Sequence, residues 1–117
     1  LPPARVNPVK LRQVFSNLIG NALKHMGDDP EPSVVISADV KAGTATFCVR
    51  DNGIGIPPDL HDKIFEPFRH FSLAGSQGLG IGLSTVKRAV TAWGGKVWVE
   101  STPGKGAAFF FTVPLAE

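Results

Sequence analysis

Three groups of residues in this sequence have types and spacings that could do chemistry. The first is Asn17, Asn21 and Lys24, which at about 100° per residue fall within about 60° of one another on a helix. An asparagine carbonyl is a hard oxygen ligand that suits Mg²⁺, and a lysine one turn further along can meet a phosphate. The stripe therefore indicates a cation and phosphate site, although a solvated helix face would have the same pattern.

The second group is the stretch DNGIGIP, residues 51–57. Gly53 and Gly55 permit positive φ and allow a ligand to approach the main chain closely. Asp51 precedes them at a predicted strand end, where its carboxylate could accept a hydrogen bond from an exocyclic amine such as that of adenine. A plain turn capped by the aspartate is the alternative, because DNG is a common turn sequence.

The third group is GLGIGLS, residues 78–84, in which Gly78, Gly80 and Gly82 lead into a predicted helix. Successive N–H groups at a helix N-terminus form an anion site. The spacing alone is weak evidence, since a flexible hinge has the same composition. The cluster is neither a Walker loop nor a dinucleotide fingerprint, because it lacks the Gly-Lys-Ser/Thr ending of the one and the preceding strand of the other.

The remaining pattern predicts the elements that must position these groups. Apolar residues at steps of three and four predict a helix from Val9 to about Met26, with Asn7 as its cap and Pro8 at its first position. The other predicted elements are strands at 33–40 and 44–50, a short helix at 59–65, a long loop at 66–80, a helix at 83–93, and strands at 96–101 and 107–113. Consecutive strand pairs with helices on one face predict an α+β two-layer sandwich with a mixed, mostly antiparallel sheet and about three helices.

Composition limits the function classes. The 117 residues suit a single domain over residues 1–117, and a net charge of +2 gives no strong case for a nucleic-acid or membrane surface. The one cysteine, Cys48, excludes an internal disulfide. His61 and His70 are interpreted as exposed histidines, and the three histidines lack metal-ligand spacing.

In order along the chain, these pieces resemble the ATP-binding catalytic domain of sensor histidine kinases, a class shared with gyrase, heat-shock chaperones and MutL. The segment NLIGNALKH (17–25) is similar to the N box and DNGIGIP to the G1 box. FEPF (65–68) is similar to the F box, GLGIGLS to the G2 box, and STPGKGAAFFFTVP (101–114) to the final glycine turn and last strand. The resemblance covers nearly the whole chain.

The resemblance implies a role for each matching residue. Asn21 would bind Mg²⁺ with support from Asn17, Lys24 would bind phosphate, and these three would form the catalytic set. Asp51 would read the adenine amine. The remaining expected nucleotide contacts are His25, Gly53, Gly55, Ile56, Phe65, Phe68, Gly78, Leu79, Gly80, Gly82 and Leu83. Phe65 and Phe68 would anchor a lid over residues 69–80, which we expect to be mobile without nucleotide.

The implied activity is that of a protein histidine kinase in a two-component system, with ATP and Mg²⁺ as cofactors. Its partners would be ATP or ADP, a phosphoacceptor histidine domain of the same parent protein, and a response regulator downstream. We expect neither nucleic acid nor direct membrane contact. The resemblance implies a cytoplasmic domain, in a parent that can be membrane-anchored, and we expect the chain to be a piece of that parent without its phosphoacceptor hairpin.

Three alternatives stay open. An ATPase of the gyrase or chaperone kind is disfavoured, because those relatives carry a glutamate where this chain has Asn17. An anti-sigma-factor Ser/Thr kinase is a close relative that the motifs do not separate. A non-catalytic nucleotide-sensing module is kept open by His25, which stands where many relatives have Tyr or Phe.

Overall fold

A computed structural model of the chain describes residues 6–24, 33–61, 63–66 and 79–115. The helices and strands of these ranges, in chain order, are α1 (Pro8–Lys24), β1 (Val34–Lys41), β2 (Thr44–Asp51), α2 (Leu79–Ala92), β3 (Val97–Ser101) and β4 (Ala107–Pro114). Two short 3-10 turns, Pro58–Leu60 and Lys63–Phe65, lie between β2 and α2. No helix of the described part is long and apolar enough to cross a membrane.

The strands form one four-stranded sheet in the order β1-β2-β4-β3, and every described pairing is antiparallel. The two predicted hairpins, β1 with β2 and β3 with β4, are both present. The central pairing of β2 with β4 joins the hairpins and places Asp51 opposite Ala107, while β3 places Ser101 opposite Ala107. One row across three strands therefore holds Asp51, Ala107 and Ser101.

The core lies between one face of this sheet and the two helices. Alternate residues of β2 and β4 point inward, and the helices contribute residues at steps of three and four. The fully buried members of this core are Val14, Leu18, Val49, Ile56, Val86, Val90, Phe109, Phe111 and Val113. The predicted α+β two-layer sandwich is confirmed.

Local signals explain where the helices begin and end. Asn7 caps α1, because its Oδ1 accepts the Val9 N–H at 2.8 Å. Helix α2 ends at a glycine pair, in which Gly94 has φ +87° and the Gly95 N–H donates to the Val90 carbonyl at 2.9 Å. The Asn7 cap agrees with the prediction from the sequence.

Two predicted boundaries were wrong. Helix α2 begins at Leu79 rather than at Leu83, so part of the predicted loop 66–80 is helical. Glycine only weakly disfavours a helix, and packing of α2 against α1 and the second 3-10 turn overrides that preference. The predicted helix over 59–65 is replaced by the two 3-10 turns, since so short a segment, entered through Pro57 and Pro58, cannot sustain a cooperative α-helix.

Candidate functional site

Asp51 is the last residue of β2, and its side chain is buried with 4% of its surface exposed. Its Oδ1 accepts hydrogen bonds from the Gly53 N–H at 2.8 Å and the Ala107 N–H at 3.2 Å. Its Oδ2 is also buried and has no hydrogen-bond partner in the described part of the chain. One oxygen therefore caps the turn, as the simpler interpretation expected, and the other is left as an acceptor for a ligand.

The charge state of Asp51 reflects two opposing effects. Burial raises the pKa of the carboxyl above its ordinary value of 3.8, and the two backbone hydrogen bonds lower it in part. An external N–H donor on Oδ2 would favour the ionised form further, because it would replace water that burial has removed. The site thus favours a neutral or positive donor over a second acceptor.

Asn21 lies in the last two turns of α1 and is buried, with 3% of its surface exposed. Neither Oδ1 nor Nδ2 has a hydrogen-bond partner among the residues that the structure describes. Asn17, one turn earlier, is half-buried. The interpretation of this stripe as a solvated helix face is wrong for Asn21. A buried amide without a partner among the described residues is consistent with a ligand-binding residue.

The backbone of Lys24 closes α1, but its side chain lies outside the described part of the chain. The same holds for the side chain of Leu79, while the backbones of Leu79, Gly80 and Gly82 form the first turn of α2. His25, Phe68 and Gly78, with the rest of the predicted lid up to residue 78, lie outside the described residues. Their assigned roles therefore stay predictions.

The G1 loop, residues 52–57, is pressed against the turn of residues 102–106. Gly55 has φ +79°, and a Cβ there would stand 2.3 Å from the Thr102 carbonyl oxygen. Gly106 has φ +80°, and a Cβ there would stand 2.1 Å from the Asp51 carbonyl oxygen. Each loop thus needs a glycine both for its backbone conformation and for the approach of the other loop.

Three of the predicted apolar contact residues lie in the core beside this loop. Ile56, Phe65 and Leu83 are all buried and belong to the same hydrophobic cluster. The ring of Phe65 meets that of Phe109 edge to face, with centroids 6.2 Å apart. Phe65 therefore holds the second 3-10 turn against the sheet, and its reading as a core aromatic is compatible with its predicted role.

Sequence reasoning missed two side chains that hold the G1 loop. The Ser101 hydroxyl bonds to both the Ile56 N–H and the Gly106 carbonyl. His61, expected to be exposed, is half-buried, and its Nε2 lies 2.9 Å from the Ile56 carbonyl oxygen. A lone serine in a strand carries no sequence signal for such a contact; His61 follows two prolines, which could have suggested a chain folded back on itself.

Comparison with known proteins agrees with this geometry. The family model described as "Histidine kinase-, DNA gyrase B-, and HSP90-like ATPase" matches residues 6–117. Among curated proteins, the chain is 37% identical over 113 residues to the methanogenesis regulatory histidine kinase FilI of Methanothrix harundinacea. It is also 37% identical over 112 residues to the sensor protein kinase WalK of Staphylococcus saprophyticus.

These alignments cover 97% and 93% of this chain but only 13% and 18% of the two relatives. The chain therefore corresponds to a small part of each. Among solved structures, full-length ShkA in complex with AMPPNP superposes with a TM-score of 0.86 at 36% identity, covering 99% of this chain and 24% of ShkA. The mycobacterial sensor histidine kinase MprB gives 0.85 at 28% identity, covering 96% of this chain and 76% of that one.

Proposed function

Because the chain belongs to the family of histidine kinase-, DNA gyrase B- and HSP90-like ATPases, we propose that it binds ATP and donates the γ-phosphate to a histidine on a separate domain. It is an ATP-binding catalytic domain of the sensor histidine kinase type, as its relatives indicate. The observation that carries the proposal is the pair of buried side chains, Asn21 and Asp51, whose polar atoms have no hydrogen-bond partner among the described residues. Such atoms destabilise a protein by about 1–3 kcal/mol each, so their presence points to a ligand that satisfies them.

Asp51 is proposed to read the base. Its Oδ2 would accept a hydrogen bond from the adenine amine, where guanine would present a carbonyl oxygen and leave two acceptors facing each other. Ile56 and the other apolar residues beside the loop would pack against the ring. Adenine should therefore be preferred over guanine.

Asn21 is proposed to hold Mg²⁺ through its Oδ1, which is a hard oxygen atom of the kind this ion prefers. A bound magnesium ion would neutralise part of the triphosphate charge and of the charge that develops during transfer. The N–H groups of the first turn of α2, which includes Gly80 and Gly82, have no intrahelical acceptors and would cradle the phosphates. The Lys24 ammonium would contribute a positive charge to phosphate binding.

The transfer step needs no general base on this chain. A nitrogen of the acceptor imidazole would attack the γ-phosphorus while the bond to the β-phosphate oxygen breaks, and ADP would leave. This domain would supply position and charge stabilisation. We further propose that the acceptor passes the phosphoryl group to a response regulator, and that the domain acts in the cytoplasm, where ATP is held.

The first test is titration calorimetry with ATP and GTP, with and without Mg²⁺. ATP should bind more tightly than GTP, and Mg²⁺ should strengthen the binding of ATP. Equal affinities for the two nucleotides would contradict the role of Asp51.

The second test follows the phosphate itself. The domain is incubated with γ-labelled ATP and Mg²⁺, alone and with a histidine-bearing hairpin from the same parent protein. Acid-labile label should appear on the hairpin only, and weakly, because the two parts are no longer tethered. The control is the same hairpin with its histidine replaced by glutamine. Rapid release of phosphate by the domain alone would instead indicate an ATPase.

A further inference from the structure

The turn between β3 and β4 has no assigned part in ligand binding, yet it is joined to the G1 loop by backbone hydrogen bonds. The Gly104 N–H donates to the Ile54 carbonyl at 2.7 Å, and the Lys105 N–H closes the turn on the Thr102 carbonyl at 2.9 Å. Together with the close contacts at Gly55 and Gly106, these bonds hold the turn directly against the G1 loop. The shape of that loop therefore depends on a segment about fifty residues away.

The Ser101 side chain completes the contact between the G1 loop and the turn of residues 102–106, which we call the joint. Its Oγ accepts the Ile56 N–H at 2.7 Å and donates to the Gly106 carbonyl at 2.7 Å. The hydroxyl therefore uses its one donor and one of its acceptor positions on two different loops. An alanine would leave both of those backbone groups without this partner.

The same joint also holds the Asp51 carboxylate in position. Ala107 follows Gly106 directly and lies opposite both Asp51 and Ser101 in the sheet. Its N–H donates to Asp51 Oδ1, while the second donor to that oxygen is Gly53, at the start of the G1 loop. Asp51 is thus held from both loops, and Ser101 ties those loops to each other.

We propose that Ser101 is a positioning residue for base recognition: its hydroxyl sets the distance between Ile56, which would pack on the base, and Asp51 Oδ2, which has no partner in the described part of the chain. This inference rests on the proposed nucleotide-binding function. Ser101 itself would not touch the nucleotide. Its loss should therefore weaken the discrimination between adenine and guanine rather than the binding of the triphosphate.

The test measures the dissociation constants of Mg-ATP and Mg-GTP by titration calorimetry for the wild-type chain and for Ser101→Ala. We expect the ratio of the GTP constant to the ATP constant to fall about fivefold, which corresponds to the net contribution of a typical hydrogen bond. The ratio is the informative quantity. Partial unfolding would weaken the apparent affinity for both nucleotides by the same factor and leave the ratio unchanged.

Two variants serve as controls. Ser101→Thr keeps the hydroxyl and should restore the ratio. Thr112→Val removes a similar bond at the other end of the sheet, where Oγ1 accepts the Lys96 N–H at 2.8 Å. It should lower stability without changing the ratio.

A gentler change tests the same joint if Ser101→Ala does not fold. Gly104→Ala strains a residue at φ +82° whose surroundings are open, so the added methyl meets no neighbour. It should lower the ratio in the same direction but less. An unchanged ratio in both folded variants, with wild-type ATP preference intact, would overturn the positioning role. Absence of ATP binding by the wild-type chain would instead overturn the proposed function.

Discussion

The two oxygens of Asp51 have different surroundings: Oδ1 accepts two backbone hydrogen bonds, and Oδ2 is the proposed acceptor for the base. Burial raises the pKa of this carboxyl above 3.8, so the folded state binds its proton more strongly than the unfolded state does. The free energy of unfolding should consequently fall as pH rises from 3.8 through the folded pKa. Asp51→Asn keeps an oxygen for the Gly53 and Ala107 donors and removes the charge. It should be more stable than wild type at neutral pH, with the difference shrinking in acid.

Urea unfolding at several pH values measures this effect. The control is the same substitution at an exposed aspartate on β1, Asp39→Asn, which should leave the free energy of unfolding at neutral pH close to that of the wild-type chain. An Asp51→Asn variant that is less stable than wild type at neutral pH would show that the ionised carboxylate stabilises the empty fold. In that case the lack of a described partner for Oδ2 would be a poor indication of a ligand.

The same variant should change nucleotide preference. An asparagine Nδ2 in place of Oδ2 is a donor, which would oppose the adenine amine and suit the guanine carbonyl. Competition of ATP and GTP for a fluorescent nucleotide should show that Asp51→Asn loses the wild-type preference for ATP. An unaltered preference would mean that another group reads the base.

A substitution at Asn21 should affect nucleotide binding and folding stability differently. Replacing it by alanine removes two buried polar atoms that have no partner in the described part of the chain, and so relieves a cost that offsets the small cavity created. Asn21→Ala should therefore fold with nearly wild-type stability yet fail to bind Mg-ATP.

The matched control is Leu18→Ala, one turn away and fully buried, which should lose about 2–5 kcal/mol. Denaturant unfolding and calorimetry separate the two variants. A loss of stability in Asn21→Ala as large as that in Leu18→Ala would identify Asn21 as a structural residue.

At the residue scale, the sequence allowed prediction of residues whose partners are near in the chain, such as the Asn7 cap and the Asp51 turn. It did not predict Ser101, whose partner Ile56 is 45 residues away. Nor did it predict that the half-buried His61 would contact the Ile56 carbonyl. Such contacts depend on how strands pair, and a single sequence carries little information on that pairing.

At the scale of elements, two glycines with the same φ allow backbone strain to be compared with and without a close contact between loops. Gly43 and Gly55 both have φ +79°, but a Cβ at Gly43 meets nothing within 4 Å, whereas at Gly55 it would overlap the Thr102 carbonyl. Gly43→Ala should cost about 1 kcal/mol from conformation alone.

Gly55→Ala should lower the free energy of unfolding more than Gly43→Ala does, because the G1 loop must also move away from the turn that Ser101 holds. It should weaken nucleotide binding as well. Chemical denaturation and calorimetry on both variants test this pair. Equal losses of stability would mean that the two loops are less tightly joined than the distances indicate.

The boundaries of elements were harder to predict than their existence. All four strands and both long helices were predicted, and apart from the start of α2 their described ends lie close to the predicted ones. The start of α2 was missed because Gly80 and Gly82 suggested a loop, while contacts of α2 with α1 decide the matter. This error concerns Gly80 and Gly82, which are candidates for phosphate binding. At such positions a glycine would let a phosphate reach the backbone N–H groups, although it does not favour a helix.

At the scale of the whole molecule, the order of helices and hairpins was enough to predict the two-layer fold, and the sequence boxes identified its class. The pairing of β2 with β4 was not predicted, although it forms the base of the site by bringing Asp51 beside Ala107. Hydrophobic alternation defines which face of each strand is buried but does not define its neighbour. The fold was thus more predictable than the way in which its two hairpins build one pocket.

The outcome of ATP binding is also a property of the whole molecule, since the γ-phosphate goes either to an acceptor or to water. Asn17 is half-buried on α1, one turn before Asn21, and its amide cannot take a proton from water. Asn17→Glu would place a carboxylate there, and a well-placed general base is worth about 10²–10⁴-fold. We expect this variant to hydrolyse Mg-ATP at least about tenfold faster than wild type, which is below that range because the carboxylate's position is not optimised.

Release of inorganic phosphate under single-turnover conditions measures the rate, and Asn17→Gln is the control of equal size without a base. A similar increase in the glutamine variant would mean that the larger side chain, rather than its basicity, admits water. No increase in Asn17→Glu, with ATP affinity retained, would place Asn17 away from the γ-phosphate. A faster glutamate variant, with no increase in the glutamine variant, would show that a carboxylate at this position of α1 is enough to direct the γ-phosphate to water, since the rest of the site is unchanged.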